Sequence, residues 1–512
     1  MFLTMIFLLI FSLVGVAYDS ARISAAKGYI KVAGDSAACT VFGNYDQELL
    51  TEYGLFGYGG YDGISMGDLN REFLEILEEN LRTFYRNRDT VGIDIYRLKN
   101  VHSSAENVRY LTDEEIFYSQ IALFLKKNAI SKVADTVTGK IGQKTSESGL
   151  EEKLNLAAQY ESGEYEDAGK EQQEERPEKK SEDSIQKDTA GGNPLEAFSH
   201  MVRDGVLGMV CREETLSDRE IISRGDGARE SRASDSSSGG AADYLKHFLG
   251  GENLPEESSH IVKGKNKMLL LAYDRAVCPS YPSREKEGIA YAMEYLAVGK
   301  REEKSNLAAV VNRLLAVRTL LNFTYAASDP VLQEKSLATA TAIAGFTGLA
   351  PVITGVQYTI LLILSFQEGC VDVAALLDGK SVPVMKNSSN FKMRYEEICL
   401  GSGSLFQKKA TAYRKEGAGN GLYISYDEYL TALLLTVDED TLRERTLDVI
   451  QQNLRDKYNQ SFCIDDCICE SSYRITYETD YIFKSLPFLR GTRWGASLGE
   501  QSQEVEYGYK SG

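Results

Sequence analysis

MFLTMIFLLIFSLVGVAYDSARISAAKGYI, residues 1–30, is the stretch on which the reading of the whole chain turns. Residues 1–18 carry no charged side chain, and the first ionised one is Asp19. A helix that crosses a bilayer needs about 20 mostly apolar residues, with a tolerance of roughly 17–25. Met1–Tyr18 lies at the short end of that range. A secretory signal needs a basic segment ahead of a shorter apolar core, then a small-x-small cleavage site. No Lys or Arg precedes the run, and only a weak cleavage-like pattern surrounds Gly15 and Ala17. The helical pattern continues beyond them. Ala17, Ala21 and Ala25 recur at intervals of four and Gly28 follows, a small-residue face that lets another helix approach closely. The spacing predicts one helix from about Leu3 to about Phe42, apolar in its first half and amphipathic in its second, retained as an anchor over residues 1–42.

The composition of the chain narrows its class. It has 512 residues and a net charge of -18, from 57 Lys and Arg against 75 Asp and Glu. A nucleic-acid partner would require a basic footprint, which this balance excludes. Eight cysteines in a chain of this length do not make a disulfide scaffold. Cys39, Cys211, Cys278, Cys370 and Cys399 are scattered, whereas Cys463, Cys467 and Cys469 cluster in CIDDCIC. That cluster lacks an evident fourth ligand, so no metal is expected; a local disulfide ranks ahead of a metal, and the segment also reads as a strand entry with period-two alternation.

Along the chain, the Gly- and Tyr-rich residues 44–63 read as a loop or extended link. Residues 68–86 predict a helix with Phe73, Leu74, Leu77, Leu81 and Phe84 on one stripe. TVGIDIYRL, from Thr90, alternates like a strand. Thr112 and Glu115 have capping-box spacing for a helix reaching about Lys132. The first ordered segment is thus 43–140. Residues 141–192 form an acidic linker with too little apolar surface to offset its ordering entropy, so disorder is expected there. A short ordered island at 193–216 precedes a second polar linker, 217–262, whose RGD at 224–226 is a chance match.

A helical main domain is expected over 263–498. Ser305 caps a helix with the stripe Leu307, Val310, Val311, Leu314, Val317 and Leu321. Residues 336–367 are uncharged and long enough to span a bilayer, but Gly345, Gly348 and Pro351 interrupt them. They read as an interior hairpin in a large core, with a second span as the alternative. Ser425 and Glu428 have capping-box spacing, and Leu442, Leu447, Ile450 and Leu454 mark another helix. Tyr473, Ile475 and Tyr477 share one face of a strand. The tail, 499–512, is polar and expected to be loose. The fold class is α+β, mainly helical, with a few short strands.

The opening helix resembles those of TadE/TadG-like proteins, the pseudopilin-like accessory proteins of the tight-adherence pilus. Several blocks are more closely similar to a related family of uncharacterised membrane proteins from Gram-positive bacteria: residues 2–30, YDQELLTEYGLFGYGGYDG from Tyr45, YAMEYLAVGK from Tyr291, NLAAVVNRLLAVRTLLNF from Asn306, VDVAALLDGKSVPVMK from Val371, ISYDEYLTALLL from Ile424 and TLRERTLDVIQQNLR from Thr441. The resemblance implies association with a type IV-like pilus or secretion apparatus, and it carries over no catalytic motif. Such proteins usually have a basic leader and a Gly-containing processing site before the apolar helix. This sequence starts inside the helix, so a leader upstream of Met1 is expected, with loss of processing as the alternative. Arg22, Lys27 and Lys31 follow the apolar run and by the positive-inside rule would lie in the cytoplasm. The resemblance places them outside, and outside is the reading adopted.

No HExxH, GxSxG or P-loop is present, and the glycines of GLFGYGG do not form a dinucleotide fingerprint. Acidic groups such as Asp113, Glu114 and Glu115, or Glu368 with Asp372, read as solvated faces. The sequence therefore predicts no catalytic, cofactor or metal residues and no small-molecule substrate. Its candidate site is the helix-packing face Ala17, Ala21, Ala25 and Gly28. The expectation is a cell-membrane protein, its bulk extracytoplasmic, that serves a Tad/Flp-type pilus or secretion apparatus as a structural or assembly component. A secreted surface-binding or adhesive protein with a cleaved N-terminus is the alternative, and a cell-wall glycan hydrolase a third reading.

Overall fold

The computed structural model describes residues 2–61, 66–83, 96, 98–127, 193–203, 205–211, 216–224, 258–284, 288–414, 422–479 and 498–509. The expected strand around Val91, Ile93 and Ile95, and the linker from 141 to 192, lie outside these residues. The chain forms two compact units. The first comprises Met1–Ala129 with Asn453–Gly512, the second Ile130–Gln452. Residues 453–479 therefore belong to the first unit and not to the expected main domain. The protein is mainly helical, with short strands.

The first unit is a long helix laid across a sheet. Helix α1, Phe2–Gly43, runs unbroken for 42 residues. Helices α2 (Gln47–Tyr53), α3 (Met66–Thr83) and α4 (Glu114–Lys127) accompany strand β1 (Leu98–Tyr110). Strands β4 (Ile468–Thr479) and β5 (Leu498–Gly508) complete a three-stranded antiparallel sheet in the order β1-β4-β5. Tyr473, Ile475 and Tyr477 do share one face, and they pack with Val505 against Ile30, Ala37, Val41 and Phe42 of α1 and Phe73 and Leu77 of α3. The Phe73 and Tyr473 rings stack at 3.8 Å.

The tail expected to be loose is instead the edge strand β5. Its apolar content is small, but Val505 is buried and the Tyr509 hydroxyl donates to the Phe42 carbonyl at 2.5 Å. The register of β1 shifts between Lys99 and His102 and again between Glu106 and Arg109. Asn100 and Asn107 take positive φ there, a left-handed conformation that Asn tolerates better than most residues.

Gly34 sets the separation of α1 from the sheet. A Cβ at this position would come within 2.7 Å of Ile475 Cδ1 and 2.9 Å of Val505 Cγ2. Gly34→Leu is expected to destabilise the first unit by about 1–3 kcal/mol through overpacking. Chemical denaturation of the purified full chain measures this, and an unchanged midpoint would show that α1 does not seat here.

The cysteine cluster is a close-packing device. All eight cysteines are free thiols, so the cluster forms no local disulfide and is instead the strand entry that its alternation allowed. A Cβ on Gly57 would lie 2.9 Å from Cys467 Cβ, and one on Gly60 2.8 Å from Cys467 Sγ. The Gly-rich segment thus lies directly on the cysteines, and Tyr58 and Ile468 exchange backbone hydrogen bonds at 3.0 and 2.8 Å. Burial pushes the Cys467 and Cys469 thiols up, which keeps them protonated and unreactive.

In the second unit, helices α5 (Pro194–Arg203), α6 (Val206–Val210), α7 (Ser258–Val277) and α8 (Ala292–Val298) precede the central pair, α9 (Glu303–Ala326) and α11 (Ala350–Leu377). Helix α10 (Pro330–Ala344) forms a hairpin with α11; α12 (Gly403–Ala410), α13 (Tyr426–Leu435) and α14 (Glu439–Lys457) follow, the last crossing the boundary between units. Strands β2 (Val382–Pro383) and β3 (Tyr423–Ile424) pair as a small ribbon.

The N-cap of α9 is Glu302, and Ser305 lies in the first turn, where its hydroxyl donates to the Glu302 carboxylate at 2.7 Å. Of the expected stripe, Val317 is only half-buried, and Arg318 takes an interior position. The capping box of Ser425 and Glu428 is present. Leu442, Leu447, Ile450 and Leu454 are all buried. The polar linker expected from 217 does not begin there. Ile221 is buried, and Arg224, the first residue of RGD, pairs with Glu444 at 2.5 Å and Asp448 at 3.2 Å.

The uncharged hairpin divides in two. From Ile360 onward α11 is almost wholly buried, whereas α10 and the first ten residues of α11 are largely exposed. Gly369 allows α9 and α11 to approach closely, since a Cβ there would lie 2.9 Å from Leu315 Cδ1.

Candidate functional site

Two features stand out chemically, one in each unit. The first is the free half of α1. Phe2, Leu3, Leu9 and Leu13 are all more than two-thirds exposed, and the residues from Phe2 to Val14 project outward on every side. Residues 2–18 span about 25 Å at 1.5 Å per residue, close to the hydrocarbon thickness of a bilayer.

Where charge begins, packing begins. Asp19 and Arg22 are buried and pair at 3.5 Å. Arg22 also donates to the Tyr96 carbonyl at 2.9 Å and to Thr479 Oγ1 at 3.3 Å. Ala17, Ala21, Ala25 and Gly28 do share one face, and all four are exposed. A Cβ on Gly28 would meet nothing within 4 Å. The face that packs within the chain is a different one: Asp19, Arg22, Ala26, Ile30, Ala33 and Ala37. Sequence reasoning missed this stripe, although its period of three to four residues is legible.

The second feature is a buried charge cluster between α9, α11 and the segment after β2. Glu368 and Asp372, read from the sequence as a solvated face, are fully buried, as are the side chains of Arg318 and Lys386. Lys386 Nζ reaches Glu368 Oε1 at 2.6 Å and Asp372 Oδ1 at 2.7 Å. Arg318 donates through Nε and Nη2 to Asp372 Oδ2 at 3.0 and 2.7 Å, and Asn322 joins it at 3.0 Å. The Tyr413 hydroxyl donates to Asp372 Oδ1 at 2.8 Å. Glu368 accepts the backbone N–H of Lys392 at 2.9 Å and of Met393 at 2.7 Å.

Burial alone would raise the Asp372 carboxyl, but the Arg318 and Lys386 charges outweigh it and hold the group below its ordinary range. Burial, then the Asp372 and Glu368 charges, push Tyr413 up. Two cations face two carboxylates, and their remaining hydrogen-bonding capacity is spent on neighbouring protein groups. This arrangement clamps the segment from Val384 to Met393 onto the central helices, and it offers no free acid or base to a substrate.

A third buried acid behaves differently. Burial lifts Glu294 to about 7, against the hydrogen bonds it accepts from the Tyr281 N–H at 2.9 Å and the Tyr426 hydroxyl at 2.7 Å. Its Oε2 has no hydrogen-bond partner among the described residues. Between the ordinary value of 4.5 and about 7, the folded chain holds a proton that the unfolded chain has released. Stability should therefore fall as pH rises through that window, by about 3 kcal/mol in total. Glu294→Gln should weaken the dependence without abolishing it, because burial also pushes the Asp274 carboxyl well up, and denaturation at pH 5 and pH 8 would show this.

Fold and site together define a mainly helical α+β protein whose N-terminal apolar helix is compatible with membrane anchoring. Residues 182–479 match a family of unknown function, DUF5702, over more than half of the chain, and the chain belongs to that family. No curated protein matches it, and no solved structure does.

Proposed function

We propose that the protein is a membrane-anchored, non-enzymatic structural or assembly component of a type IV-like (Tad/Flp) pilus or secretion apparatus, with its bulk outside the membrane. The observation that carries this reading is the division of α1. Its first half is bare and apolar, and its second half is the spine of a folded unit on an antiparallel sheet. A pseudopilin-like subunit requires this layout: a span that inserts and packs against other helices, continuous with a head that stays in water. The exposed face of Ala17, Ala21, Ala25 and Gly28 supports it, because small residues let helices approach closely in lipid. Cleavage near Tyr18, as the secreted alternative requires, would cut an unbroken helix just before the buried Asp19 and Arg22 pair.

The test is a photo-crosslinking residue placed at Ala21 in living cells. Crosslinks to pilin subunits or to the pilus platform, lost when Ala25 is replaced by Phe, are expected. Crosslinks confined to general export machinery would overturn the reading.

A further inference from the structure

The hairpin of α10 and α11 carries the second long charge-free run, residues 336–367. Its turn is bare: Phe346 is 90% exposed and Leu349 58%. Leu337 and Val352 are also exposed. Most of the threonine hydroxyls along it bond to carbonyls of the hairpin itself. Thr339, Thr341 and Thr359 donate to the carbonyls of Lys335, Leu337 and Gly355 at 3.0, 2.7 and 2.8 Å. Thr347 donates to the Ala344 carbonyl at 2.7 Å, and the Gln357 amide to the Gln333 carbonyl at 3.2 Å. Such bonds also occur on exposed helices elsewhere in the chain, as at Thr40, but here they leave these hydroxyls satisfied and so lower the cost of entering hydrocarbon.

Charge returns at the base, where Glu334 and Lys335 are exposed and Lys335 pairs with Glu396 at 2.6 Å. From Thr341 to Phe346 the helix rises about 8 Å, roughly half the depth of one leaflet of a bilayer core about 30 Å thick.

We propose that residues 341–355 insert into one leaflet of a lipid bilayer, as a membrane contact that does not span. Lipid fits this surface better than a second copy or another protein. The exposed residues are mainly Ala, Thr and Gly with a few large apolar side chains, and they present no charge with which to orient a protein partner. The proposal rests on the anchoring reading only in that α1 would keep a bilayer within reach of the chain.

The test uses the full chain in phosphatidylcholine vesicles, with the sole tryptophan removed by Trp494→Phe. A new indole is introduced either in the hairpin by Phe346→Trp or in the anchor by Phe7→Trp. Fluorescence is compared in vesicles with and without brominated acyl chains. The expected result is quenching of roughly twofold or more at both positions, because both sites sit in hydrocarbon. Quenching at position 7 alone would overturn the hairpin proposal and leave the anchor standing. Quenching at position 346 alone would uphold the hairpin and remove the anchor. A blue-shifted but unquenched indole at 346 would mean that protein covers the tip, and the lipid assignment would fall.

Discussion

Replacing Arg318 by Met is expected to lower the stability of the second unit by about 3–5 kcal/mol, because it leaves Glu368 and Asp372 sharing a single buried cation. Asp372→Leu should cost a similar amount by stranding positive charge. The double variant removes one charge of each sign, so its loss should be well below the sum of the two, and the cycle should report strong coupling. Denaturant titration of the purified full chain, followed by hydrogen exchange in α9 and α11, reads all three. Single losses under about 1 kcal/mol would show that water reaches the cluster and that it is no clamp.

The pH dependence has a defined sign. Asp372 is held below its ordinary value of 3.8, so its contribution is present above that pH and is lost as pH falls below it. Glu294 acts in the opposite direction, losing stability as pH rises toward about 7. The second unit should therefore be most stable on the acid side of neutrality, and the fall on its alkaline flank should shrink in Glu294→Gln, with a remainder of the same sign from Asp274, whose carboxyl burial also pushes well up.

Leu9→Arg should move the protein from the membrane to the soluble fraction. Leu9 lies midway along the uncharged run and is 69% exposed, so no protein group waits to receive a charge there. A charge at the centre of a span costs about 2.5–3.5 kcal/mol on insertion scales, which is roughly a 70- to 400-fold shift in partitioning. A span of this length has little margin to absorb that. The buried positions begin later, at Gly15 and Asp19, so the folded head should survive intact. Ala21→Phe is the complementary variant: membrane fractionation unchanged, helix–helix assembly lost. Full retention of Leu9→Arg in the membrane would mean that something other than α1 holds the chain there.

How much of this was legible in the sequence depended on where the partner residues lie. Helix α1 could be read because its signals are local: an uncharged run, then small residues at helical spacing. The Tyr473, Ile475 and Tyr477 face could be read because strict alternation has one meaning. Strand β1 was missed because bulges at Asn100 and Asn107 break its alternation, and β5 because Val505 is the one strongly buried apolar residue among its described side chains.

The charge cluster was misread for a different reason. Glu368 and Asp372 are four residues apart, as they would be on any solvated helix face. Only the fold brings Arg318 and Lys386 to them, across 54 residues in the case of Arg318 and Asp372. The uncharged hairpin shows the same limit. Buried α11 beyond Ile360 and the bare turn at Phe346 have similar composition, and Leu362, within the span expected to be core, is 45% exposed.

The central claim is that α1 stays attached and holds the chain in a membrane. N-terminal sequencing of the mature protein recovered from cell membranes tests it most directly. The account predicts a mature start ahead of the apolar run, with Phe2 to Val16 retained. A mature start at Tyr18 or later would contradict it, because the apolar segment would then be a cleaved export signal.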